Sequence, residues 1–105
     1  MIDFASIGAL LFSLGFEKEK ITYDINRDAQ LLISDFTDEE VLVHLIIREN
    51  FVDNNNKYHI GYKLNNGNLK AWKFNEVERF YNLLINLLSS INIIVQSAIG
   101  LREKK

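Results

Sequence analysis

The sequence predicts an α+β domain: an antiparallel meander of about five strands, flanked by a short N-terminal helix and a long C-terminal helix. Three observations carry the prediction. Apolar residues recur at helical spacing near both ends, as in Phe4, Ile7, Leu11 and Leu14. Between residues 20 and 74 the pattern changes to alternation and β-branched runs, broken by Asn- and Asp-rich turns. The 105 residues hold no Pro and no repeat, enough chain for one core and too little for two.

The first helix starts at Asp3, whose carboxylate can cap it, and places Phe4, Ile7, Gly8, Leu11 and Leu14 on one face. Gly15 supplies its stop. KITYDI, residues 20–25, alternates with Ile21, Tyr23 and Ile25 on one side, and Asn26-Arg27-Asp28 turns the chain into AQLLISDF, residues 29–36. The segment after it is ambiguous. Thr37 and Glu40 form a capping-box pattern that favours a helix over 38–49. VLVHLII, however, is dense in β-branched residues and apolar on both faces, as a central strand is, and strand is the assignment made.

After DNNN comes a ribbon, KYHIGYKLNNGNLKAWKF (57–74), with four lysines, the single Trp and no acid. Asn66-Gly67 predicts a type I′ hairpin turn that pairs Lys63 with Lys70, Gly61 with Trp72 and His59 with Phe74. One side then carries Tyr58, Ile60, Tyr62, Leu64, Leu69 and Ala71, with Lys73 as an exception. The other carries Lys57, His59, Gly61, Lys63, Lys70, Trp72 and Phe74. With a loop over 53–56, Arg48 falls beside Gly61, and a guanidinium stacked on Trp72 makes a flat cationic platform.

The final helix is marked by Asn75 with Glu78 as a capping pair, by Phe80, Leu84, Leu87, Ile91, Ile94 and Ala98 at helical spacing, and by Gly100 as a stop. Leu83, Leu88, Val95 and Ile99 widen its apolar arc beyond one sheet face. A kink at Ser89-Ser90, a second copy or a weak membrane segment each accounts for the width. Asn86, Asn92 and Gln96 argue against the membrane, where each unpaired amide costs several kcal/mol. The expectation is a homodimer with Leu84, Leu87, Leu88, Ile91 and Val95 at its interface.

Composition narrows the function. The apolar fraction of 48% and charged fraction of 25% belong to a folded domain. With no Cys, disulfides, thiolate chemistry and Cys-zinc sites are excluded. MIDFASIGALLFSLGF carries Asp3 and no base before Lys18, unlike a secretory signal, so the cytoplasm is the expected location. Residues 1–56 sum to −7 and residues 57–105 to +5, giving the net −2; such a division suits an anionic partner for one half, two copies meeting head to tail, or halves that neutralise each other in the fold. His44 and His59 have no metal-ligand spacing, and the acidic cluster Asp35, Asp38, Glu39 and Glu40 reads as a solvated turn. No phosphate loop or nucleophile elbow occurs, so neither catalytic residue, cofactor nor metal is expected.

Leu14-Gly15-Phe16 closing a first helix, followed by a meander and a long helix, resembles secretion-chaperone-like folds, which are acidic dimers that bind other proteins; their usual middle helix is missing here. A curved sheet followed by a dimerising helix also resembles the single-strand-binding coactivator type, although its basic strand motifs are missing. Both resemblances imply binding without turnover. The expected function is therefore a non-enzymatic binding module acting on a protein partner, of the kind small phage or mobile-element inhibitors use. The alternative is single-stranded nucleic-acid binding through Arg48, Lys57, His59, Lys63, Lys70 and Trp72.

Overall fold

The computed structural model describes residues 2–39, 41–52 and 55–103, with side chains described through residue 97. Its element order is α1 (Phe4–Ser13), β1 (Lys20–Asp24), β2 (Ala29–Thr37), β3 (Leu42–Asn50), β4 (Tyr58–Leu64), β5 (Lys70–Phe74) and α2 (Val77–Glu103). The strands form one antiparallel meander in the order β1-β2-β3-β4-β5. The predicted α+β class is thus the observed one, and 42–50 is a strand. Glu40, Asp53 and Asn54 lie outside the described residues, as do Lys104 and Lys105.

Local chemistry explains the ends of α1. Asp3 accepts from Ser6 N at 3.1 Å and from Ser6 Oγ at 2.6 Å, while Gly15 takes a φ of 96° that closes the helix. Between β1 and β2, Asp24 accepts from Asn26 N and Arg27 N, and Asp28 completes the turn at φ 48°.

Side chains on one face of the sheet make the core. Leu32 and Phe36 of β2, Val43, Leu45 and Ile47 of β3, and Tyr58 and Ile60 of β4 are buried on it under both helices. The N-terminal segment is tied to the same face, because Ile2 N donates to the buried carboxylate of Glu49 at 3.1 Å. Among the described residues no helix lies over the opposite face.

The helix α2 departs from expectation in three respects. Phe80 N bonds to Glu76 O at 3.2 Å, so the cap falls on Glu76 rather than Asn75. Helical backbone passes through Gly100 to Glu103, and no break occurs at Ser89-Ser90. The expected dimer interface is also corrected: Leu84, Leu87, Leu88, Ile91 and Val95 are only 2–8% exposed within a single chain. The sheet covers one side of the wide apolar arc. On the other lies α1, where Asp3 N donates to Tyr81 Oη at 3.1 Å and Ile7 and Leu10 share a groove with Leu84 and Leu88. Val77–Ser97 is long and apolar enough to cross a membrane by length and composition, and Phe80, Leu84, Leu87, Leu88, Ile91 and Val95 from that stretch are buried in this core.

Candidate functional site

The hairpin of β4 and β5 is paired one residue away from the predicted register. Ile60 faces Trp72, Gly61 faces Ala71, Tyr62 faces Lys70 and His59 faces Lys73. The cause lies at the turn. Asn65 donates its N–H to Leu42 O at 2.7 Å and accepts from Leu42 N through Oδ1 at 2.8 Å, so it continues the β3–β4 ladder. It takes the positive φ, 52°, while Asn66 and Gly67 do not; Gly67 N closes the turn on Leu64 O at 3.0 Å. The connection therefore has an odd number of residues, and a one-residue slip sends each β5 side chain to the other face.

That slip redistributes the predicted binding residues. Trp72 shares the helix-covered face with Ile60 and Tyr62, stacks on Tyr62 and packs against the core. Lys70 lies opposite Tyr62 on the same face, with Nζ 6.0 Å from that ring. Lys63 and Lys70 are therefore not a facing pair. Arg48 pairs with His59 rather than Gly61, and the Arg48–Trp72 platform does not form because the two lie on opposite faces. Lys57 precedes β4, its Nζ 5.9 Å from the Tyr58 ring. Only Arg48, His59 and Lys63 of the six stand on the bare face.

The bare face has a distinct chemistry. Leu31, Ile33 and Ile46 are half-buried and give it an apolar floor that continues across Gly61 to Ala71. Around Gly61 lies an open cleft of about 330 Å³, rimmed by Arg27, Arg48, Lys73 and His59 and floored by Ile46, Gly61, Leu69 and Ala71. Among the described residues no carboxylate lines it, and no salt bridge engages Arg27, Arg48 or Lys73. The His59 ring is held by the preceding loop and the end of β3, with Nε2 3.0 Å from Asn56 O and 3.1 Å from Asn50 Nδ2. Gly61 leaves a gap in the floor that packing does not require: a Cβ there would meet its nearest neighbours at 3.7–4.0 Å.

A second cleft of about 530 Å³ adjoins it, where Asp35, His44 and Lys63 stand in one row across β2, β3 and β4. The His44 Nδ1 is hydrogen-bonded to Asp35 Oδ1. Among the described residues no group of three His, Asp or Glu side chains is placed to hold a metal ion. Arg27 and Lys73 were not among the residues singled out from the sequence; the lysine that sat as an exception on the apolar side was the available sign.

No family model, no curated protein and no solved structure matches the chain.

Proposed function

We propose that this chain is a non-enzymatic binding module that docks an extended acidic segment of another protein across its bare sheet face, and acts by occupying that partner. The cleft around Gly61 supports the reading most: three cations converge on an apolar floor with no carboxylate among the described residues that line it. A surface of this kind attracts carboxylates from a distance and covers aliphatic side chains on contact. Nucleic acid is the less favoured partner, because base stacking needs exposed rings. The strand positions on this face carry no Phe, Tyr or Trp, and Trp72 faces the helices.

Selection of a random peptide library on the immobilised protein tests the reading. It predicts peptides that alternate Asp or Glu with aliphatic residues, bind less tightly as salt rises, and lose roughly tenfold or more in affinity to the R48E and K73E variants. Peptides without acids, or single-stranded DNA binding that R48E and K73E abolish while no peptide is enriched, would contradict it.

A further inference from the structure

The meander leaves two free edges, β1 and β5. They differ in charge. β5 reads Lys-Ala-Trp-Lys-Phe and holds no acid, the usual guard against edge pairing. β1 reads Lys-Ile-Thr-Tyr-Asp, with a base at one end and an acid at the other. All but the last of its side chains are exposed, although Ile21 and Tyr23 lie on the face that the helices cover elsewhere. Beside them Ile25 and Val52 are exposed, and Tyr23 stacks on the exposed Phe51 with centroids 6.4 Å apart.

We infer that β1 is the contact between two copies of this chain, joined antiparallel edge to edge into one continuous ten-stranded sheet. The sequence of the strand fixes the register. A two-fold axis normal to the sheet keeps like faces together, so Lys20 can meet only residues of its own face in the second copy. Pairing all five residues puts the axis at Thr22. Lys20 then faces Asp24 of the second copy twice over, and Ile21 faces Tyr23, a β-branched residue against an aromatic. Every charge on the strand meets its opposite. The arrangement joins the two exposed apolar clusters and places both bare faces side by side, without using either for the contact.

The interface is testable by charge reversal at Lys20, which is exposed, and at Asp24, which is half-buried and also accepts from Asn26 N and Arg27 N in the turn. In analytical ultracentrifugation at roughly 100 μM, where micromolar association is populated, the wild type sediments as a dimer. K20D brings like charges together at both pairs, as does D24K, and each weakens the dimer by roughly tenfold or more. An equimolar mixture of K20D and D24K restores association as a heterodimer, because each reversed charge then meets its complement. The I85E variant, altered on the exposed side of α2, remains dimeric. Circular dichroism of each variant establishes that it is folded. A monomeric wild type overturns the inference. So does a dimer unaffected by K20D and D24K, or one that I85E dissociates.

Discussion

The indole of Trp72 lies over the Tyr62 ring, with centroids 5.7 Å apart and planes 13° from parallel. This pair closes the core beside Ile60 and withdraws the one tryptophan from the basic face. The W72A variant is therefore expected to lose about 2 kcal/mol of stability in urea, less than a fully buried aromatic because the ring is half-covered. Trp72 emission should follow unfolding and stay unchanged on addition of single-stranded DNA. A stability-neutral W72A, or quenching by DNA, would place the ring outside the core.

Gly61 sits in the cleft floor with space for a methyl group and without a positive φ. G61A should stay within about 1 kcal/mol of the wild type, on the stabilising side, since Ala restricts the unfolded chain and suits a strand better. The same methyl raises the floor, so affinity for an acidic peptide should fall severalfold. Unchanged affinity would remove Gly61 from the docking surface.

Asp3 links pH to the first helix. The hydrogen bonds from Ser6 hold its carboxyl below the ordinary value of 3.8. Its native pKa is lowered, so the stabilisation is full above 3.8 and fades as pH falls through the native value. D3A should melt a few degrees lower near neutral pH. The gap between wild type and D3A should narrow as pH drops below 3.8; a gap constant down to acid pH would exclude a charged cap.

At the alkaline end, Tyr23 donates its hydroxyl to Asp28, and that hydrogen bond raises its pKa above the ordinary 10.0. The protonated phenol is the bonded form, so this contribution is present below pH 10 and lost as pH climbs through the raised native value. An ultraviolet titration should show a late component from Tyr23, which D28N shifts back towards 10. A titration unaltered by D28N would contradict the assignment.

Much of the architecture was legible in local chemistry. Asp3 and Gly15 bound the first helix through interactions a few residues long, and the β-branched density of VLVHLII outweighed the Thr37–Glu40 capping pattern. What escaped depended on distant partners. Asn66-Gly67 is a strong local turn signal, but the hydrogen bonds exchanged between Asn65 and Leu42, 23 residues away, placed the turn earlier and reversed the faces of β5. Lys73 on the supposed apolar side carried the warning. The dimer contact expected on α2 also escaped local reading, because Leu84, Leu87, Leu88, Ile91 and Val95 are already buried within one chain.

The most direct test of the bare face as a docking surface is an NMR titration of the isotope-labelled protein with an acidic peptide from the selection. Amide shifts are expected to concentrate at Ile46, Arg48, His59, Gly61, Ala71 and Lys73, the residues around the basic cleft. Shifts confined to the groove between α1 and α2, around Leu10, Leu84 and Ile85, would contradict it.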